Sequence, residues 1–413
     1  MSNGRPESDG VLLELPSRES HIPRMPDSSS GVTKPVAARS EASVSAAPPV
    51  PQRIMSVDAL RGLDMFFIVG MEEVFEALSK MFPMTPSLND RLQHAPWAGF
   101  HFYDLIFPLF AFIIGVSLVF SLSKSLSVED RSATTLKILK RSVILYLLGI
   151  VYYGGIDQGL DHGRLLGVLQ RLALGYCAAG LAFVWLTPRK LLALTVGLLV
   201  GYWAMVTFIP VPGFGAGDFA EGHNLTNWFD KMYLPFRKWD GDHDPEGILS
   251  TLPAIATTLL GVFAGMLLKN PSTEPARKVR LLVGWGCAGV VLGLLWHLQF
   301  PIIKKIWTSS FVLLTGGISA LLLAWFYYVT DIKQRRTWCQ PFVWIGMNAI
   351  TIYLIAHFVP LESIAKCFVG GEIQAGLDRI FHGLGELVIA LLALFFSILI
   401  CRFLFNRKIF LRV

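Results

Sequence analysis

The residues best suited to chemistry are His94 and Asp104, which lie ten positions apart in a segment rich in aromatic residues, proline and glycine. An imidazole titrates near neutrality, so it can take or give a proton during a reaction. A histidine in a loop is more often exposed and inert, but this context favours a catalytic one. Asp104 either stabilises the start of a helix or orients His94 or a polar substrate. Trp97, between the two, is a candidate for substrate binding.

A second set of ionisable residues follows one helical face. Arg61 and Glu72 are eleven residues apart, which places them about 20° apart around a helix and about 16 Å apart along it. Arg61, with Arg53 nearby, either binds an anionic ligand such as a nucleotide phosphate or pairs with Asp58 and Asp64 at the helix end. A groove with a cation at one end and the Glu72 carboxylate at the other suits a reaction path or an ion-conduction path. We predict a catalytic role for Glu72.

Two further polar residues fall inside apolar segments, where an unpaired polar group is costly. Arg171 needs a partner, for which Glu72 and Asp104 are candidates. Asn348 either bridges two helices or lines the site. We predict that both bind the cofactor together with Arg53 and Arg61.

An acidic stretch precedes one of the apolar segments and contains Asp240, Asp242, Asp244 and Glu246. Such a stretch can hold a cation, but solvated acidic loops are common, so we predict no metal. Asp244 and Glu246 open the apolar segment that follows, and we predict that they bind the substrate.

The composition predicts that membrane-spanning helices position these residues. The chain has 413 residues, of which 53% are hydrophobic and 16% charged, whereas soluble domains contain about 25% charged residues. A helix needs about 20 residues to cross a bilayer. Apolar segments near that length cover residues 58–80, 104–123, 137–153, 164–186, 190–209, 249–268, 279–298, 309–329, 341–359 and 383–404. We therefore predict an all-α integral membrane protein, a bundle of about ten transmembrane helices.

The lysines and arginines predict the orientation of this bundle. Most of them fall in one alternating set of loops, around residues 124–141, 189–190, 269–280 and 333–336, and at the C-terminus. The positive-inside rule then places both termini in the cytoplasm. This distribution explains the net charge of +6 by topology, so we predict no nucleic-acid partner. Residues 1–53, rich in proline and serine, are predicted to form a disordered cytoplasmic tail before a transmembrane domain over 54–413.

Six short motifs follow one another from residue 53 to the C-terminus. They are Arg53–Gly62, His94–Gly99 with Asp104–Pro108, Gly167–Leu172, Asp244–Leu249, Gly346–Asn348 and a basic, aromatic C-terminus. Together they resemble the heparan-α-glucosaminide N-acetyltransferase family of transmembrane acyltransferases. The resemblance implies that acetyl-CoA donates an acetyl group from the cytoplasm to an amino sugar on the other side. It also implies that His94 is the catalytic histidine, either as a base or as a transient carrier of the acetyl group.

Two departures from the family pattern affect the predicted acceptor. Animal members have an asparagine where this chain has Glu72, which either stabilises a protonated His94 or signals a different acceptor. They also carry a preceding span and a luminal domain with no counterpart in this sequence. We therefore expect an envelope glycan, lipid-linked sugar or small amino sugar as acceptor, and a location in the plasma membrane. The resemblance further suggests a homodimer.

A transporter or flippase for a sugar or an anionic substrate is the main alternative. Membrane helices with buried charges suit transport as well as catalysis. Transporters are often built from inverted repeats, and the two halves of this sequence show no convincing one. A purely structural membrane protein would leave Glu72, Arg171 and Asn348 without a purpose.

Overall fold

The computed structural model describes residues 54–82, 93–155, 159 and 162–411, so the predicted tail and Arg53 lie outside the described residues. In the described part the chain forms fifteen α-helices, and the only β-structure there is two isolated bridges. The helices are α1 (Met55–Phe66), α2 (Glu72–Met81), α3 (Ile106–Leu126), α4 (Arg131–Tyr152), α5 (Val168–Trp185), α6 (Pro188–Phe208), α7 (Leu225–Tyr233), α8 (Thr251–Lys269), α9 (Pro275–His297), α10 (Ser309–Phe326), α11 (Gln340–Met347), α12 (Ala349–Phe358), α13 (Leu361–Val369), α14 (Glu372–Ile380) and α15 (Leu384–Asn406).

Seven helices among the described residues are long and apolar enough to cross a membrane. They are α3 with the short turn before it, α5, α6, α8, α9, α10 with the turn after it, and α15. The pair α11 and α12 forms an eighth candidate that is bent by 77° at its break. The all-helical, multi-pass architecture predicted from the sequence is thus confirmed.

The other two predicted spans are also helical but carry more charge. The first runs from α1 through a π-helical turn (Phe67–Met71) into α2, and the second is α4. Each has at least three charged side chains in any stretch of 18 residues. The first contains Asp58, Arg61, Asp64, Glu72, Glu73, Glu76 and Lys80, and the second contains Arg131, Lys137, Lys140 and Arg141. The count of ten spans and the cytoplasmic termini stay predictions.

Central helices are distinguished from peripheral ones by their burial. In α3 and α8, 72% of the apolar span is buried inside the protein, whereas only 17% of α9 is buried. The apolar side chains of α9 that protein does not cover suit contact with lipid. A site that runs along α3 therefore lies in the middle of the bundle.

Glycines bring the central helices into backbone contact. A Cβ atom on Gly62 of α1 would lie 1.6 Å from the Phe342 carbonyl oxygen of α11. Similarly, a Cβ on Gly115 of α3 would lie 2.0 Å from the Thr258 carbonyl oxygen of α8. Only glycine allows helices to approach this closely, as is typical of membrane bundles. These contacts fix α1 and α3, which carry much of the site.

The start of α1 is also held in place by a distant carboxylate. Asp331 accepts hydrogen bonds from the backbone N–H groups of Met55 and Ser56, at 3.1 and 3.0 Å. The first N–H groups of a helix have no partner within the helix, so this contact caps α1.

Candidate active site

An elongated cavity of about 1020 Å³ runs through the described part of the bundle. On α3 and the turn before it, its lining residues recur every three or four positions, as one face of a helix requires. They are Tyr103, Ile106, Phe107, Phe110, Ile114, Ser117, Leu118 and Ser121. At 1.5 Å per residue this stripe is about 27 Å long, close to the thickness of about 30 Å of a bilayer core. The cavity therefore extends along nearly the whole of α3.

The stripe on α1 and α2 contains the pair that the helical spacing predicts. Arg61, Met65, Ile68 and Glu72 all line the cavity. The π-helical turn falls between Arg61 and Glu72, and both side chains still line the same cavity. The prediction that they share one groove is confirmed in geometry, and their roles stay predictions.

One end of the cavity, called here the basic end, is lined by Arg61, Lys137 and Arg141 together with Ser117 and Ser121. Lys137 and Arg141 are exposed, so this end reaches the surface. The three cations and two hydroxyls suit an anionic ligand.

Arg61 is held by its neighbours within this basic end. Its guanidinium donates hydrogen bonds to the Ser117 hydroxyl and to the Gly346 carbonyl oxygen, the latter at 3.3 Å. It also forms an ion pair with Asp58 at 3.5 Å. Asp64, the other predicted partner, is fully buried, and its carboxylate accepts no hydrogen bond from any described residue. The pairing at the helix end thus involves Asp58 and not Asp64.

The opposite end, called here the histidine end, is lined by Glu72, His94, Tyr103, Glu246 and Lys304. His94 has half of its side chain exposed, so this end also reaches the surface. All charged residues among the described lining belong to one end or the other. The middle is lined by apolar side chains, among them Met65, Phe110, Ile114, Leu145, Leu172 and Ile350.

Asp104 orients His94 in the structure. Its Oδ1 lies 2.9 Å from Nδ1 of His94. Its Oδ2 accepts the backbone N–H groups of Ala95 and His101 at 3.2 and 2.9 Å. A fully buried carboxylate with these donors is ionised, so it accepts a hydrogen from Nδ1 and leaves the lone pair on Nε2 of His94. Of the two predicted interpretations of Asp104, the geometry supports orientation of His94.

Lys304 is the charged residue of the histidine end that the sequence patterns did not predict. Its Nζ lies 2.8 Å from Nδ1 and 3.3 Å from Nε2 of His94, and 3.4 Å from Oδ1 of Asp104. The Lys304 side chain therefore contacts both members of the pair, the His94 ring and the Asp104 carboxylate. Burial lowers the pKa of Lys304, and the carboxylates of Asp104 and Glu246 oppose that shift.

Backbone contacts between two loops place His94 and Lys304 together. The N–H of Gly99 donates to the Ile302 carbonyl oxygen at 2.9 Å, and Ala98 forms an antiparallel bridge with Ile303. Gly99 has a φ of 125°, a conformation that L side chains rarely adopt. The loop that carries His94 is thereby joined to the loop that carries Lys304.

Trp97 belongs to the same pair of loops but is not among the residues that line the cavity. Its Nε1 donates to the Phe219 carbonyl oxygen at 2.9 Å. The Lys305 ammonium lies 5.9 Å from its ring centre, and His243 packs edge-on against it. Trp97 therefore lies beside the histidine end, and its predicted contact with substrate stays a prediction.

Asp244 and Glu246, the other predicted substrate residues, share one buried arginine. Arg164 donates two hydrogen bonds to Asp244, at 2.9 and 2.7 Å, and one to Glu246 at 2.5 Å. Asp244 is fully buried in these contacts, whereas Glu246 also lines the cavity. Burial raises the pKa of Glu246, although the guanidinium groups of Arg171 and Arg164 oppose that shift. Of the two carboxylates, only Glu246 reaches the cavity.

Arg171 and Asn348 are buried close to the cavity without lining it. Arg171 donates to the Ser250 hydroxyl and to the Gly247 carbonyl oxygen at 3.4 Å, and lies over the Trp307 ring. Its partners are thus these groups and not Glu72 or Asp104. Asn348 lies at the break between α11 and α12, where its Nδ2 donates to a carbonyl oxygen of the preceding turn. Their predicted role in cofactor binding stays a prediction.

Comparison with curated proteins finds two similar enzymes. The heparan-alpha-glucosaminide N-acetyltransferase of Homo sapiens is 27% identical over 364 residues, covering 74% of this chain and 53% of that enzyme. The enzyme of the same name from Mus musculus is 28% identical over 321 residues, covering 63% of this chain and 48% of that enzyme. The chain is a distant relative of these transferases. The resemblance predicted from the six motifs is confirmed.

The chain spans about half the length of these relatives. No protein-family profile matches it. The relatives' names indicate an N-acetyltransferase, and the seven apolar helices indicate a multi-pass membrane protein. Both agree with a cavity that has a basic end, an apolar middle and an oriented histidine.

Proposed function

We propose that the protein is a membrane-embedded acetyltransferase that uses acetyl-CoA. The acetyl group would enter from the basic end and reach the amine of an amino sugar or envelope glycan at the histidine end. The observation that supports this proposal is the single cavity that connects Arg61, Lys137 and Arg141 with the pair His94 and Asp104.

The basic end suits the nucleotide part of acetyl-CoA. That part carries phosphates, and arginine and lysine bind phosphate through charge-assisted hydrogen bonds. The slender pantetheine arm would extend through the apolar middle towards His94, so that the thioester lies at the histidine end. In this arrangement the donor and the acceptor enter the cavity from opposite ends, and the acceptor nitrogen meets the thioester carbon at the histidine end.

The chemistry follows from the orientation of His94. As the acceptor nitrogen attacks the thioester carbon, Nε2 of His94 accepts a proton from it. The new C–N bond forms, the C–S bond breaks, and the thiolate of CoA takes the proton from His94. Asp104 holds the tautomer and stabilises the imidazolium that forms in between.

We place the basic end in the cytoplasm and the protein in the plasma membrane. Lys137 and Arg141 belong to the lysine- and arginine-rich set of loops that the positive-inside rule assigns to the cytoplasm. Acetyl-CoA is then available at the end that suits it, and an envelope acceptor at the other. The resemblance also supports a homodimer.

The proposal is tested by release of thiol from acetyl-CoA by purified protein, with and without glucosamine as acceptor. We expect acceptor-dependent release, reduced by about 10³-fold in His94→Ala, with unchanged binding of acetyl-CoA measured by calorimetry. His223→Ala is the control, because His223 is half-exposed and does not line the cavity. Equal loss in both variants would contradict the proposed role of His94. An acetyl group found on His94 without acceptor would replace its role as a base with that of a carrier.

Vesicles separate this function from transport. With protein in liposomes, acetyl-CoA outside and labelled glucosamine inside, we expect N-acetylglucosamine to accumulate inside. Flux of unmodified glucosamine that needs no acetyl-CoA would instead support the transporter.

A further inference from the structure

Lys304 has a position that its structural surroundings do not require. Among the described residues that line the histidine end, it is the only one with an ammonium or guanidinium group. The carboxylate next to it, Asp104, already accepts hydrogen bonds from His94, Ala95 and His101. Lys304 is therefore not needed to satisfy Asp104.

Placing an ammonium there is costly, because only about a quarter of the Lys304 side chain is exposed. Its backbone is nevertheless held firmly. The Lys304 carbonyl oxygen accepts a hydrogen bond from the N–H of Trp307 at 2.9 Å. The Thr308 N–H donates to the Ile303 carbonyl oxygen, and the Ile303 N–H donates to the Thr308 hydroxyl. A cation whose burial is costly, whose backbone is fixed and whose side chain lines a cavity indicates a role in the chemistry of that cavity.

The distances define what that role is. Nζ of Lys304 and Nε2 of His94 are 3.3 Å apart. A substrate nitrogen that gives its proton to Nε2 lies about 3 Å from it, and the carbon under attack is next to that nitrogen. The oxygen on this carbon can then lie within hydrogen-bond distance of Nζ.

We propose that Lys304 is a further catalytic residue, whose ammonium donates a hydrogen bond to the oxyanion formed from the thioester carbonyl. This inference rests on the proposed acetyl transfer. When the acceptor nitrogen bonds to the carbonyl carbon, the C=O electron pair moves to oxygen, and the ammonium stabilises that charge without losing its proton. The charge returns to re-form C=O as the C–S bond breaks.

The carboxylates around Lys304 influence how strongly its ammonium stabilises an oxyanion. Asp104 contacts the ammonium directly, and Glu246 lines the same end of the cavity. Both favour the charged form of Lys304 and oppose the effect of burial, and low-dielectric surroundings strengthen a hydrogen bond from an ammonium to a transient oxyanion.

The experiment compares Lys304→Met with Lys305→Met in the acetyl-transfer assay. Lys305 is the adjacent cation, but its ammonium pairs with Glu221 and Asp240 at 2.8 and 3.1 Å and does not line the cavity. For Lys304→Met we expect kcat to fall by about 10²–10³-fold, with the KM and Kd for acetyl-CoA changed by less than about threefold. For Lys305→Met we expect all three constants within about threefold of wild type. Lys304→Arg, which keeps a donor, should recover part of the lost kcat.

The pH profile distinguishes this role from a merely electrostatic effect on His94. If Lys304 only lowered the proton affinity of His94, Lys304→Met would shift the acidic limb of the kcat profile and keep the maximal rate. The proposal requires a lower rate at every pH, and a preserved maximum would overturn it. Wild-type protein that transfers no acetyl group would overturn this inference together with the proposed function, whereas full activity in Lys304→Met overturns the inference alone. Thermal unfolding in detergent confirms that each variant is folded.

Discussion

The two ends of the cavity are both rich in charge but are constructed in different ways. At the basic end the cations come from helices α1 and α4, and Lys137 and Arg141 are exposed. At the histidine end the charged groups come mainly from loops that are joined by backbone hydrogen bonds, and Asp104 is completely buried. Exposed cations bind a ligand by charge and tolerate small displacements, whereas a proton transfer requires fixed distances. The comparison indicates a binding end and a reacting end.

The largest effect that we expect comes from removing the hydrogen bond that fixes the reacting end. Asp104→Asn keeps the size of the side chain but removes the charge that holds Nδ1–H of His94. We expect kcat to fall by about 10³-fold, within the range for a general base in the wrong tautomer. Calorimetry should show that this variant binds acetyl-CoA as tightly as the wild type. A variant that loses binding as well would show that the two ends are not separate.

A smaller and different effect is expected at the binding end. Arg61→Ala removes one charged donor from the cavity, and we expect the Kd for acetyl-CoA to rise by about tenfold, which corresponds to about 1.4 kcal/mol. The rate at saturating acetyl-CoA should stay within about threefold of wild type. Because exposed charges are screened by salt, raising the ionic strength should weaken binding by the wild type more than by the variant.

The matched control for Arg61 is Arg131→Ala. Arg131 is an exposed arginine at the start of α4 that lies over the Trp185 ring and does not line the cavity. Equal weakening of binding in both variants would mean that Arg61 acts only through the general positive charge of this face.

The smallest effect that we expect is on the free energy of unfolding, and it comes from a residue on the side of the reacting end. Burial raises the pKa of Asp230, in the loop helix α7, to about 6, although the Ile248 N–H donates to it at 2.9 Å. The unfolded chain loses this proton near pH 4 and the folded protein near pH 6, so stability falls as the pH rises between these values. Asp230→Asn has no charge to bury, so it should be more stable at pH 7.5 by about 1–3 kcal/mol and lack that fall. Thermal unfolding in detergent at pH 4.5 and 7.5 measures both, and an unchanged pH dependence would contradict the assignment to Asp230.

Features set by local periodicity could be predicted from the sequence. The eleven-residue spacing of Arg61 and Glu72 placed them in one groove, since helical geometry determines which side chains share a face. His94 and Asp104 were predicted as a pair because they are close along the chain. The helical segments followed from apolar composition, including the charged segments of α1, α2 and α4.

Contacts between distant segments could not be predicted in this way. Lys304 is 210 residues from His94, so no local pattern in the sequence joins the two. The partners of Arg171 were also missed, because Ser250 and the Gly247 carbonyl carry no charge that would mark them. The role of Asn348 as the position of a helix break depends on packing that the apolar pattern of α11 and α12 does not show.

The apolar middle of the cavity also affects whether ions can leak through the protein when no substrate is bound. A passage that reaches both surfaces would dissipate the membrane potential if protons or sodium ions could cross it. Phe110, Ile114, Leu172 and Ile350 offer no charged or hydroxyl group to replace the hydration of an ion. An apolar stretch opposes ion flow, because an ion would lose its hydration there. The same side chains that suit the slender pantetheine arm would thus hinder the passage of ions when no substrate is bound.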